Sequence, residues 1–143
     1  MRKTEKEVLM ENAVSWSRRS YCKRLQVGAV ISREGRVVSS GYNGTIKGSE
    51  NCCETEISNE QGTVLVTRPE VFHAEANAIL FAARDGISTK GCEIFITHAP
   101  CIDCSKMIVQ AGIVKVFYKY NYSKQNGVDF LKKAGITVLK LDE

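Results

Sequence analysis

His73-Ala74-Glu75 and, further along, Pro100-Cys101-Ile102-Asp103-Cys104 are the residues of this chain best equipped for chemistry. One imidazole and two thiolates are ligands of the kind zinc prefers, and three of them leave a tetrahedral ion one open position for water. Glu75 stands two residues from the imidazole. An ion that acidifies its water, beside a carboxylate that takes and returns a proton, is suited to hydrolytic attack on an electron-poor carbon. His73, Cys101 and Cys104 are therefore expected to hold one catalytic Zn2+, and Glu75 to move protons without being a ligand. Ala74 is small, so a flat ring can approach the backbone beside it.

These residues need firm supports, and the pattern supplies two helix starts. Phe72–Arg84 reads as a helix ended by Asp85-Gly86, which puts His73 in its first turn. Pro100–Ala111 reads as a second, opened by proline, which is favoured where no N–H is needed, and closed by Gly112. Cys101 and Cys104 are three apart and share a face of it. The first-turn N–H groups and the helix dipole favour thiolates at that end.

The remaining elements build a frame around them. Thr4–Arg19 carries Val8, Leu9, Ala13 and Trp16 at helical spacing. Val27–Ile31 and Val37–Gly41 are β-rich runs joined by a glycine-containing turn, a hairpin. Residues 45–69 show no clear period and read as a long loop with a short helix near Glu56–Val64. Glu93–Thr97, Val114–Tyr118 and Ile136–Leu141 are strands, with a helix over Val128–Ala134 closed by Gly135. A helix between two strands of one sheet makes them parallel neighbours. The expected fold is a three-layer α/β/α sandwich on a five-stranded mixed sheet, a single domain over residues 1–143.

Composition narrows the classes of function. The chain has 143 residues, is 43% apolar and carries a net charge of +4. Such a charge suits an anionic small ligand but is too weak for a long nucleic-acid track. No apolar run approaches the roughly 20 residues of a membrane span, and Met1–Glu11 holds no apolar signal-peptide core. A cytoplasmic protein without a membrane partner is expected. In that setting the six cysteines are expected to be metal ligands or free thiols.

Either half of the zinc pattern alone is weak: Cys-x-x-Cys also occurs in structural zinc sites and redox pairs. A structural site would need a fourth ligand, for which His98 and Cys92 are the local candidates. Asn43, before Gly44, is by itself a common turn residue. Cys52 and Cys53 could bind a second metal or approach Cys22, with free thiols the simplest alternative. Cys92 and Tyr118 read as packing, Trp16 and Phe72 as core or interface. Arg18, Arg19, Lys23 and Arg24 are solvated charges or, together, a phosphate site.

His-x-Glu with Pro-Cys-x-x-Cys is the known signature of zinc nucleobase deaminases. Together with Gly41-Tyr42-Asn43-Gly44, Ala74-Glu75-Ala76-Asn77-Ala78-Ile79 and Gln110-Ala111-Gly112-Ile113, it makes the chain resemble the deoxycytidylate (dCMP) deaminases of phage and viral type, from about Val27 to the C-terminus. The resemblance implies a cytidine deaminase-like fold and hydrolytic deamination of dCMP to dUMP and ammonia, supplying thymidylate synthesis. It implies that Asn43 binds the sugar, Ala74 lies against the base, and Tyr122 helps hold the 5′-phosphate. It also implies a homo-hexamer with dCTP (with Mg2+) and dTTP as effectors near the Gly-Tyr-Asn-Gly loop, in the host cytoplasm if the source is viral. The chain departs from many relatives at Ile46, where they have proline. Three other functions share parts of the pattern: dCTP deamination, deamination of a nucleic-acid base, and a non-catalytic zinc-containing nucleotide-binding regulator. The small net charge speaks against the second and Glu75 against the third.

Overall fold

The chain runs α1 (Glu5–Ser17), β1 (Gly28–Arg33), β2 (Arg36–Tyr42), β3 (Glu54–Asn59), β4 (Gly62–Thr67), α2 (Ala74–Arg84), β5 (Glu93–His98), α3 (Ile102–Gln110), β6 (Lys115–Tyr120), α4 (Asn126–Lys133) and β7 (Thr137–Lys140) in a computed structural model that describes residues 1–141. Five strands form one sheet in the order β2-β1-β5-β6-β7. β1 is antiparallel to both β2 and β5, while β5, β6 and β7 are mutually parallel. The parallel steps are made through α3 and α4, as a crossover requires. The β1–β2 turn has Glu34 and Gly35 both at positive φ, 51° and 77°, which matches the twist of a hairpin.

Alternation along the strands decides the layering. Ala29, Ile31, Ile94, Ile96 and Val116 pack with Ala78 and Ile79 of α2, Ile108 of α3 and Leu131 of α4. The residues between them, Val30, Phe95 and Phe117, pack with Leu9, Met10 and Ala13 of α1. The sheet is thus covered on both faces, one helix on one side and three on the other, which is the expected α/β/α sandwich.

Two expectations are overturned. Residues 54–67 form no helix: β3 and β4 make a separate two-stranded antiparallel sheet with Asn59 opposite Gly62. Thr63, Val64, Val66 and Thr67 are β-branched and suit a strand. Asn59 Oδ1 accepts a bond from the Gln61 N–H and Gly62 has φ 123°, which closes the turn. Nor are all the cysteines outside the zinc pattern free: Cys22 and Cys53 are joined by a disulfide, their Cα atoms 5.2 Å apart. The hairpin folds Cys53 back onto the segment after α1, so the alternative in which it approaches Cys22 holds and the free-thiol reading does not. Buried Glu54 strengthens the same junction, its Oε2 accepting the backbone N–H groups of Lys23 and Arg24, both at 3.0 Å. Cys92 is a free thiol wholly inside the core, as expected. Among the described residues, no helix is long and apolar enough to cross a membrane.

Candidate active site and metal centre

The two helix starts meet at the ends of the central strands. His73 and Cys101 are N-caps of α2 and α3, one position earlier than the first turns expected for them, with extended backbone at ψ 154° and 171°. An N-cap in that conformation projects its side chain past the helix end while its carbonyl begins the helical bonding. The His73 and Cys101 carbonyls accept from Asn77 and Ser105 at 3.0 and 2.9 Å. Two glycines allow the approach. A Cβ on Gly41 would lie 2.6 Å from the Ala74 carbonyl oxygen, so only glycine lets β2 lie against the first turn of α2. A Cβ on Gly127 would lie 2.1 Å from the Pro100 carbonyl oxygen, beside Cys101.

The three expected ligands converge. His73 Nδ1 is 3.3 Å from Cys104 Sγ and 3.6 Å from Cys101 Sγ, and all three donor atoms lie within 4.8 Å of one another. Tetrahedral zinc with ordinary Zn–N and Zn–S bonds separates its N and S ligands by about 3.6 Å. The donor set therefore fits zinc in both chemistry and spacing. Neither His98 nor Cys92 belongs to this group, so the fourth protein ligand of a structural site is not found among the described residues.

Without an ion the three donors hold one another's protons, which a bound metal would displace. A hydrogen bond from Cys104 holds the Cys101 thiol down at about 4, a thiolate at neutral pH. That thiolate in turn pushes the Cys104 thiol far up, with burial adding to it. The contact with Cys101 raises His73. Glu75 is buried, and burial pushes its carboxyl up to about 7. A group with that value both accepts and donates protons near neutrality.

A cleft opens over this centre, and its lining includes His73, Ala74, Glu75, Cys101, Arg24, Leu25, Val27, Asn43, Glu54, Thr67, His98, Ala99 and Tyr122. All seven site residues singled out in the sequence, except fully buried Cys104, line it. Arg24 alone of the four basic residues Arg18, Arg19, Lys23 and Arg24 does so; Arg19 lines a neighbouring cleft. Asn43 is more than a turn residue. Its Oδ1 accepts from the Val27 N–H at 2.9 Å and its Nδ2 donates to the Leu25 carbonyl at 2.8 Å, which fixes the cleft wall. Glu54 went unnoticed in the sequence because its partners are backbone groups of a remote segment, a pairing with no sequence signature.

An open-sided zinc cradle with a buried carboxylate, set at two helix starts on an α/β/α sandwich, defines a hydrolytic metalloenzyme site of the nucleobase deaminase class. Residues 3–120 match the family model for the cytidine and deoxycytidylate deaminase zinc-binding region, and the chain belongs to that family. It is 41% identical to ComE operon protein 2 of Bacillus subtilis over 87% of this chain and 66% of that protein. It is 36% identical to the deoxycytidylate deaminase of Enterobacteria phage T4 over 87% of this chain and 83% of that one. The crystal structure of dCMP deaminase from the cyanophage S-TIM5 in complex with dCMP and dUMP superposes with a TM-score of 0.88 at 43% identity, over 99% of both chains.

Proposed function

We propose that this chain hydrolyses dCMP to dUMP and ammonia in the cytoplasm. The observation that carries the proposal is the convergence of His73, Cys101 and Cys104 beside buried Glu75 in one cleft. Held by those three residues, zinc would supply a water acidic enough to attack at neutral pH. Glu75 takes one proton from the attacking water and passes it to the ring nitrogen next to the reacting carbon; it then takes the second proton from the oxygen newly bonded to that carbon and delivers it to the amine, so that the carbon–nitrogen bond breaks as the carbonyl forms and ammonia leaves. Ala74 leaves room for the flat ring. Arg24, tied to Thr67 Oγ1 at 3.4 Å, supplies a cation for the 5′-phosphate, with Tyr122 beside it in the cleft wall. Asn43 spends one amide hydrogen and one lone pair on the wall and keeps the others for the sugar.

The neighbouring cleft supports regulation. Arg19, Lys47 and Arg84 line it together with Phe72, Phe81 and Asn77. Cations beside aromatic rings suit a nucleoside triphosphate, and we assign to it dCTP with Mg2+ as activator and dTTP as inhibitor. Asn43 borders both clefts and gives the effector a direct route to the substrate wall. Exposed Leu80, Phe81 and Phe72 offer an apolar face for assembly into a hexamer.

The test is turnover of dCMP, dCTP, deoxycytidine and a cytosine-containing oligonucleotide by the zinc-loaded protein, followed by loss of cytosine absorbance and release of ammonia. Preferred turnover of dCMP is expected, abolished by Glu75→Gln. Turnover of the oligonucleotide alone, or equal turnover by Glu75→Gln, overturns the proposal.

A further inference from the structure

His98 lines the cleft yet has no part in the proton transfer or the metal cradle. It ends β5, three residues before Cys101, and shares the lining of the cleft with Ala74, Glu75 and Cys101. Its ring packs against Tyr120 with centroids 5.2 Å apart, and its Nδ1 is 2.8 Å from the Thr97 hydroxyl.

The neighbour of that hydroxyl decides which nitrogen of His98 carries hydrogen. Thr97 is buried, and its Oγ1 accepts the backbone N–H of Gly28 at 3.1 Å. One lone pair is thus used, and the hydroxyl proton of a buried threonine must find an acceptor. Among the described residues, His98 Nδ1 is the acceptor within reach. The imidazole is uncharged, since burial holds its pKa below the ordinary value. With Nδ1 accepting, the single ring hydrogen sits on Nε2, and Nε2 is the nitrogen left for the cleft.

We propose that His98 is a further substrate-binding residue, locked by Thr97 as the Nε2–H tautomer, and that this N–H donates to the carbonyl oxygen of the pyrimidine base. The inference rests on the proposed deamination of dCMP. Of the acceptors on a cytosine edge, the ring nitrogen is taken by Glu75, which leaves the carbonyl oxygen. The bond orients the ring over the reaction centre, and Thr97 acts as a positioning residue behind it.

The tautomer is read directly by nitrogen-15 NMR. The chain has two histidines, so a His98→Leu spectrum assigns the signals. A protonated Nε2 and bare Nδ1 on His98 are expected; the opposite tautomer overturns the lock. The contact is read with 2-thio-dCMP, whose sulfur is a poor acceptor. In the wild type, KM for the thio analogue should exceed that for dCMP by roughly fivefold to tenfold. His98→Leu should raise KM for dCMP by a similar factor, with kcat within about twofold, and bring the two substrates together; His98→Gln, which keeps a donor, should restore part of the difference. An active wild type whose preference survives unchanged in His98→Leu overturns this inference alone. A zinc-loaded wild type that leaves dCMP untouched overturns the proposed function, and the carbonyl assignment with it.

Discussion

Gly127→Ala separates the needs of the metal cradle from the ordinary preferences of a helix. Gly127 lies in the first turn of α4, and its φ is not positive. On propensity alone, alanine there should stabilise the helix by about 0.8–1.0 kcal/mol. The surroundings reverse the sign. The new Cβ would stand 2.1 Å from the Pro100 carbonyl oxygen, 2.8 Å from the Cys101 carbonyl carbon and 2.9 Å from the Cys101 oxygen. All three are backbone atoms with no rotamer through which to yield, and ordinary contact begins near 3.4 Å. The two segments must part by roughly 1.3 Å, an overpacking of the kind that costs about 1–3 kcal/mol. Zinc ligands tolerate displacements of only about 0.2 Å, so the strain should register at Cys101 before it registers elsewhere. The expected result is a net loss of up to about 2 kcal/mol in urea unfolding of the metal-free protein, with zinc affinity at least tenfold lower in competition with a chromophoric chelator. Gly44→Ala, with open space at its Cβ position and no positive φ, serves as the neutral control. A Gly127→Ala protein that is more stable than wild type and binds zinc equally well would refute the reasoning.

Glu75→Gln should lower kcat by about 10²- to 10⁴-fold while stabilising the metal-free fold. The wild-type carboxyl titrates near 7 when folded and near 4.5 when not. The folded state therefore holds its proton more tightly, and wild-type stability falls as pH rises from about 4.5 to 7, levelling off some 3 kcal/mol lower. In denaturant titrations the variant should lead by about that amount at pH 8 and by nothing at pH 4; a constant difference across pH would contradict the burial argument. Zinc loading at neutral pH should release at least one proton per ion, because the Cys104 thiol is held protonated by its neighbour. Calorimetry in buffers of different ionisation enthalpy measures this, and a buffer-independent heat would be the contrary result. Removing the Cys22–Cys53 link, with its sequence separation of 31, should cost about 3–4 kcal/mol in the chain-entropy picture. The Cys22→Ser protein should melt earlier than oxidised wild type, and a reductant should erase the difference.

What was visible in the sequence was what local chemistry dictates. The apolar runs at Val30 and Phe95 mark strands covered on both faces, and the helix starts expected at Phe72 and Pro100 lie two residues before the observed ones at Ala74 and Ile102. The candidate metal donors His73, Cys101 and Cys104 were visible because metal geometry demands particular residue types at short spacings. The β3–β4 hairpin was not, because it is exposed along most of both faces and burial imposes little alternation on it. Glu54 with the N–H groups of residues 23 and 24 was hidden for another reason, and Cys22 with Cys53 stood only as one alternative among three: both join segments that only the folded chain brings together. Asn43 shows how a local rule falls short, since its side chain serves Leu25 and Val27 rather than a turn of its own.

The cleft draws its walls from different stretches of chain. His73, Glu75, Cys101 and Cys104 all lie between residues 73 and 104, in the first turns of α2 and α3 and the caps before them. Arg24, Leu25, Asn43, Glu54 and Thr67 come from the first half of the chain, on the loops and hairpins that precede α2. Inheritance can therefore act on the two separately. A lineage can keep the reaction and exchange the clientele by rewriting the loop around Arg24 and the β3–β4 hairpin, whereas β2 is bound to the centre, because Gly41 lies against the first turn of α2 and Asn77 donates to the Tyr42 carbonyl.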